Sequence, residues 1–198
     1  YKVTLKGFID VVLERLSVHY PVQECKAIAT RLLKESVEGY KGYEHLVEPG
    51  RDLQDFAVAK TFAEGGESAE RFLMAAVERL STGEPLQYVL GYEWFCGHRF
   101  RVAEGVLVPR PETEELVREV VEHAGSCLRG TGEAPLRILD ICTGSGCIAW
   151  SVAAALPGAE VFGCDISPQA LEIAGGQEVY AADGGIRAVV KFFECDIM

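Results

Sequence analysis

Ile138-Leu139-Asp140-Ile141-Cys142-Thr143-Gly144-Ser145-Gly146-Cys147-Ile148-Ala149 decides the fold. The apolar run 136–141 has the composition of a short buried strand, and 147–156 has that of a helix, with two glycines at the junction. Such a glycine pair lets the backbone turn tightly and approach a ligand closely, while the start of the helix offers free N–H groups to a negative charge. A carboxylate or phosphate is therefore expected there. A second strand, 161–164, ends at Asp165, 19 residues after Gly146. An acid at the end of the second strand can accept hydrogen bonds from ribose hydroxyls. Loop and acid together point to a nucleoside cofactor.

Downstream of that junction the alternation continues. A helix is expected to start over Pro168–Ala174 and a third strand over Ala188–Phe193. Strand and helix alternating at this spacing, with apolar strands lacking polar alternation, predict a parallel sheet covered on both faces, an α/β fold of Rossmann type. Upstream, Pro111 is placed at a first helical turn, and Leu116, Val117, Val120, Val121 and Ala124 form an amphipathic stripe. Gly125–Pro135 is expected to be a polar loop.

Between Gln87 and Val108 the chain changes character. Tyr88-Val-Leu, Tyr92-Glu-Trp-Phe, Phe100-Arg-Val and Val106-Leu-Val have strand composition, and Cys96-Gly97-His98 is placed as a turn. A β-hairpin is expected, with His98 a solvated residue at its tip. The first eighty residues instead carry helical periods: Ile9, Val12, Leu13 and Leu16; Ile28, Ala29, Leu32 and Leu33 after Pro21; Leu53, Phe56 and Ala57; then Phe72, Leu73, Ala76, Val77 and Leu80, ending near Gly83 and Pro85. The expected division is a helical bundle at 1–82, a β-hairpin connector at 83–110 and a Rossmann-like domain from 111 to 198.

Composition narrows the function. The 198 residues are 48% apolar and 25% charged, which excludes wholesale disorder. No apolar run reaches the ~18 residues of a membrane-spanning helix, and the start has no signal-peptide pattern. The net charge of -11 divides unevenly, -2 over residues 1–80 and -9 over 81–198. An acidic surface without a Lys/Arg cluster repels phosphates, so direct nucleic-acid binding is not expected. The seven cysteines contain no Cys-x-x-Cys pair and no His at zinc spacing, and are expected to be buried or free thiols of a reducing cytoplasm, with no metal.

Which nucleoside binds is not fixed by the glycines alone, because Gly144-x-Gly146-x-x-Ala149 also satisfies the dinucleotide fingerprint. Asp140 at the end of the first strand, and Thr143-Gly144-Ser145-Gly146, which resembles the first motif of class I methyltransferases, favour S-adenosylmethionine over NAD. Asp196 follows the third strand, where such enzymes often hold adenine. The competing reading is that Asp140 and Asp196 simply cap loops or helices.

A more specific resemblance covers about Gly83 to Asp196. Glu84-Pro-Leu-Gln-Tyr-Val-Leu-Gly91, Phe100-Arg-Val, Val106-Leu-Val-Pro-Arg-Pro-Glu-Thr-Glu114, Ile138-Leu-Asp, Thr143-Gly-Ser-Gly-Cys-Ile-Ala149 and Asp165-Ile-Ser resemble the release-factor glutamine methyltransferases, the PrmC or HemK family. The resemblance implies the first half of a class I methyltransferase domain, and transfer of a methyl from S-adenosylmethionine to the side-chain amide nitrogen of the glutamine in the Gly-Gly-Gln motif of peptide chain release factors. It implies a cofactor site of Cys142, Thr143, Gly144, Ser145, Gly146, Asp165, Asp196 and Ile197. The first eighty residues match only in being a helical domain of suitable size; their near-neutral charge beside the acidic remainder suits a protein substrate held by two lobes, with the helical one as the recognition element. Arg110, Glu112 and Thr113 are candidates for the cleft beside the cofactor; equally, Glu112 and Thr113 are residues that favour a helix start.

Two local departures from the family pattern stand out. Cys142 occupies a position where glycine is usual, and Gly175-Gly176 replaces the usual continuation of a helix, which is expected to end early. A larger one is that the family's Asn-Pro-Pro-Tyr, which holds the substrate amide after a fourth strand, is absent before Met198. The chain is accordingly expected to be part of a longer protein, inactive alone, with its catalytic residues beyond Met198. The alternatives are an amino-methyltransferase acting on adenine, an NAD-binding Rossmann protein, and a binding module without turnover.

Overall fold

The computed structural model describes residues 4–37, 69–128, 135–180 and 187–197. The chain divides into two compact units, Tyr1–Leu90 and Gly91–Met198. The helix expected around Leu53, Phe56 and Ala57 lies outside the described residues.

In the first unit, α1 (Leu5–Leu16) is opened by Thr4, whose hydroxyl accepts the Gly7 N–H at 3.0 Å. It buries Leu5, Phe8, Val12 and Leu16, while Ile9 and Leu13 lie half-buried at the sides of the stripe. Pro21 precedes α2 (Val22–Ser36), which buries Cys25, Ile28, Ala29, Leu32 and Leu33. The third helix, α3 (Ala69–Ser81), contributes Leu73, Ala76, Val77 and Leu80. These three stripes pack against one another, as the helical periods predict.

Tyr88-Val-Leu is a correction to the sequence reading: it lies in a short helix, α4 (Leu86–Leu90), not a strand. Pro85 supplies the carbonyl that accepts the N–H groups of Tyr88 and Val89. At the other end, the Arg79 guanidinium donates to the Tyr88 and Val89 carbonyls at 3.2 and 3.4 Å, which a helix end otherwise leaves unpaired. Glu84 grips the same guanidinium through both oxygens. That pairing holds the Glu84 carboxyl below its usual range and raises Arg79.

The second unit begins with the hairpin. Strands β1 (Tyr92–Phe95) and β2 (His98–Arg101) pair antiparallel, from Tyr92 opposite Arg101 to Phe95 opposite His98. Cys96 and Gly97 both have positive φ, 49° and 77°, as a two-residue hairpin turn of the tight mirror-image type requires. Glu114 fixes the turn by accepting the Cys96 N–H at 2.8 Å. His98 is the first residue of β2 and half-buried, not a solvated tip, and burial pushes its pKa down. Phe95 and Phe100 turn inward, edge to face at 6.1 Å. Val106-Leu-Val forms no strand, because Gly105 turns the chain at φ 101° and Gln169 pins the segment through the Glu104 carbonyl at 2.8 Å.

Helix α5 (Thr113–Leu128) starts two residues after Pro111 and runs through Gly125 into the stretch expected to be a loop. Val117 and Ala124 hold it to the core, and this anchoring overrides the modest cost of a helical glycine. Then come β3 (Arg137–Ile141), α6 (Cys147–Ala155), β4 (Glu160–Asp165), α7 (Pro168–Gly175) and β5 (Val190–Glu194). The three strands form a parallel sheet with β4 in the centre. This is the opening of a Rossmann-like α/β fold.

One face of the sheet, carrying Ile138, Val161, Val190 and Phe192, packs into the core with Trp150 and Val152 of α6 and with Phe95 and Phe100 of the hairpin. The other face is less covered among the described residues. There Leu139 and Ile141 are each 50% exposed and Phe193 is 43% exposed. Helix α7 ends at the glycines, as their composition predicts, and the Arg101 guanidinium lies so close over Gly176 that a Cβ there would come within 2.8 Å of it. Among the described residues, no helix is long and apolar enough to cross a membrane.

Candidate functional site

Past Ile141 the backbone takes left-handed conformations at every second residue: Cys142 at φ 60°, Gly144 at 54° and Gly146 at 78°. The resulting arch is tied at several points to its surroundings. Thr143 donates its N–H to the Cys164 carbonyl at 2.9 Å, and Gly146 donates back to the Thr143 carbonyl at 2.8 Å. Gly144 donates its N–H to the Asp165 carboxylate at 2.9 Å. The loop is thus strung from the end of β3 onto the end of β4.

Asp140 holds the arch from beneath. One of its oxygens accepts both the Thr143 hydroxyl, at 2.6 Å, and the Ala149 N–H, at 3.3 Å, so the end of β3 is strapped to the first turn of α6. Burial raises the Asp140 pKa, and the Asp165 charge pushes the same way; the Thr143 hydroxyl and the Ala149 N–H pull it back. Sequence reasoning singled out Asp140 as a marker of cofactor type, and the structure gives it a definite mechanical role.

The two glycines do different work. A Cβ on Gly146 would meet Trp150, Ala174 and Phe192 at 3.0, 3.1 and 3.2 Å, so this residue closes the loop onto the core. A Cβ on Gly144 would meet nothing within 4 Å. The backbone there faces open space, as close approach of a ligand requires.

Asp165 is fixed on every side. Its second oxygen accepts the Ser167 N–H at 3.0 Å, and Ser167 in turn caps α7 by accepting the Ala170 N–H at 3.2 Å. Its carbonyl accepts the Cys195 N–H at 3.0 Å. A carboxylate offers about four acceptor positions, and backbone N–H groups occupy one on each oxygen. The remaining positions suit a pair of hydroxyls.

The other predicted residues are placed as follows. Cys142 is exposed, whereas Thr143, Ser145 and Gly146 are buried. Asp196 and Ile197 are exposed and follow directly on Cys195, the residue bonded to Asp165. Arg110 and Glu112 are exposed, and their carbonyls accept the Thr113 and Glu115 N–H groups, at 3.0 and 3.4 Å, in the turn that opens α5. Among the described residues, no hydrogen bond joins Arg110, Glu112 or Thr113 to the glycine loop. Burial pushes the Cys147 thiol up to about 11 and raises Cys164 as well.

Sequence reasoning missed two participants. Gly163 in β4 leaves room for Phe192 and for the Thr143 hydroxyl, and Gln177 reaches the loop through the Ser145 carbonyl. A glycine inside an apolar strand is a signal of close approach; a glutamine just beyond a helix carries none.

No protein-family model matches the chain. Among curated proteins it is 37% identical over 178 residues to a release factor glutamine methyltransferase of Bacteroides thetaiotaomicron, covering 83% of this chain and 56% of the relative. It is 40% identical over 129 residues to one of Chlorobaculum tepidum, covering 65% of this chain and 42% of that protein. A Streptomyces pristinaespiralis protein named 4-amino-L-phenylalanine/4-methylamino-L-phenylalanine methyltransferase is 40% identical over 98 residues, half of this chain and 33% of the relative. The chain spans about half the length of the first two of these relatives. Over that half, with the glycine arch and its two supporting acids built as described, the chain is similar to the release factor glutamine methyltransferases.

Proposed function

We propose that the protein binds S-adenosylmethionine at the arch 142–146 and methylates the side-chain amide nitrogen of the glutamine in the Gly-Gly-Gln motif of a peptide chain release factor in the cytoplasm. The observation that carries the reading is Asp165: a rigidly held carboxylate at the end of the second strand, locked to the glycine loop and with acceptor positions to spare. That arrangement fits a ribose beside a backbone cradle. The names of the relatives support the substrate.

When bound, S-adenosylmethionine supplies a methyl already activated on a sulfonium. The chain's residues then have to bind and orient. The start of α6 offers backbone N–H groups to the carboxylate of the cofactor's amino-acid end, Asp165 accepts from the sugar hydroxyls, and Asp196 and Ile197 flank the base. Thr143 and Asp140 hold the arch in shape, so that little reorganisation accompanies binding. Arg110, Glu112 and Thr113 form the wall beside the cofactor, and the helical first unit recognises the release factor.

Titration calorimetry of the chain with S-adenosylhomocysteine and with NAD tests the cofactor assignment: binding of the first and not the second is expected, and the reverse would overturn it. For the reaction, labelled methyl transfer from the whole protein to a release factor should disappear when the target glutamine is replaced. Transfer to adenine in DNA would favour the competing amino-methyltransferase instead.

A further inference from the structure

Gln177 lies two residues beyond α7 and is only 2% exposed, although it carries a polar amide. That amide has two N–H donors and one carbonyl, and all are engaged. The carbonyl accepts the Arg101 N–H at 2.9 Å, and the nitrogen donates to the Arg101 carbonyl at 2.9 Å and to the Ser145 carbonyl at 3.0 Å. The first two bonds copy the reciprocal exchange between antiparallel strands, so the side chain occupies the place of a strand beside β2. The third bond reaches into the glycine arch.

The Ser145 carbonyl shares its peptide plane with the Gly146 N–H. That plane turns about ψ of Ser145 and φ of Gly146, and because glycine tolerates many conformations, the backbone on the Gly146 side restrains it little by itself. Two bonds hold it: the Gly146 N–H to the Thr143 carbonyl, and the Ser145 carbonyl to Gln177. The first is internal to the arch. The second is anchored outside it, on β2.

We infer that Gln177 is a positioning residue for the cofactor loop, its amide locking the Ser145–Gly146 peptide plane and coupling the arch to the hairpin strand at Arg101. The inference rests on the reading of 142–146 as the cofactor cradle. Replacing the amide leaves the Arg101 N–H, the Arg101 carbonyl and the Ser145 carbonyl without the partner it supplies, and removes the bond that ties the arch to β2.

The test uses the nitrogen-15-labelled chain and compares wild type with Gln177→Met, which keeps length and removes all three bonds, and with Gln177→Asn, a milder change that keeps an amide. Hydrogen exchange is read at the Thr143, Gly144 and Gly146 amides, and S-adenosylhomocysteine affinity by calorimetry. Gln177→Met is expected to speed exchange at those loop amides and weaken binding, each by about tenfold, with the interior amides of α6 and β4 changed less than about twofold. Gln177→Asn is expected to produce a smaller effect confined to the same amides, and it serves as the readout if the methionine variant does not fold. Unchanged loop exchange, or equal acceleration throughout the second unit, overturns the inference. Absence of ligand binding by wild type would instead sink the cofactor reading, while the exchange comparison still decides the role of Gln177.

Discussion

The carboxylate of Asp165 accepts the Gly144 N–H on one oxygen and the Ser167 N–H on the other, at 2.9 and 3.0 Å. Both oxygens must therefore be acceptors. In Asp165→Asn one of them becomes an NH2 group, and whichever way the amide turns, a donor faces a donor. The variant should lose about 1–3 kcal/mol of stability, measured by urea denaturation, although its shape is unchanged. A loss no larger than a surface substitution's, below about 0.5 kcal/mol, would show that the loop does not depend on this carboxylate.

Cys142 holds φ 60° with a side chain that disfavours it. The left-handed conformation costs a residue with a Cβ about 1–2 kcal/mol, and glycine avoids that cost while adding about 0.5–1 kcal/mol of unfolded-state entropy. Cys142→Gly should thus raise stability by up to about 1.5 kcal/mol, and Cys142→Val should lower it, since β-branched residues resist this region most. Urea midpoints of the two variants moving in opposite directions is the expected result. A glycine variant less stable than wild type would mean that the thiol makes a compensating contact.

The folded-state pKa of Asp140 is raised, chiefly by burial. Between its ordinary value, about 4, and that raised value, the native chain holds more protons than the unfolded one. Stability from this residue therefore falls as pH rises through the window, and the penalty is complete above it. Both hydrogen bonds to Asp140 end on the same oxygen, so the amide oxygen of Asp140→Asn can accept both while carrying no charge. The difference in unfolding free energy between this variant and wild type should move in the variant's favour from pH 4 towards pH 7, whereas Asp140→Ala should be destabilised by about 1–3 kcal/mol throughout. A variant-minus-wild-type difference flat in pH would contradict the assignment.

What the sequence disclosed and what it withheld have a common physical cause. The arch, its acid and the strand–helix alternation were legible because each depends on neighbours in sequence: glycines at 144 and 146 turn the chain, and Asp165 ends an apolar run. Tyr88-Val-Leu was misread because a three-residue apolar run suits either strand or helix, and the choice is made by Arg79, nine and ten residues away from the carbonyls it caps. Helix α5 runs on through Gly125 to Leu128 although the glycine suggested a loop, and Val117 and Ala124 anchor the part before it in the core. Gln177 was invisible because its partners, Arg101 and Ser145, lie 76 and 32 residues distant. At Cys142 the sequence did give a signal, its departure from the family's glycine, and the positive φ explains why glycine is usual there.

Gly163 offers the sharpest steric test. A Cβ there would stand 2.5 and 2.7 Å from two carbons of the Phe192 ring and 2.9 Å from the Thr143 hydroxyl. The ring cannot retreat freely, because it is packed against Trp150 at 5.9 Å, and the hydroxyl is tied to Asp140. Gly163→Ala should therefore cost about 1–3 kcal/mol through overpacking and loosen the arch through Thr143. Phe192→Leu frees space on the same side, at its own cost as a large-to-small change. The double variant should then be more stable than the sum of the two single losses allows, by about 0.5 kcal/mol or more. Strict additivity in that cycle would mean that Phe192 is not what forbids a side chain at 163.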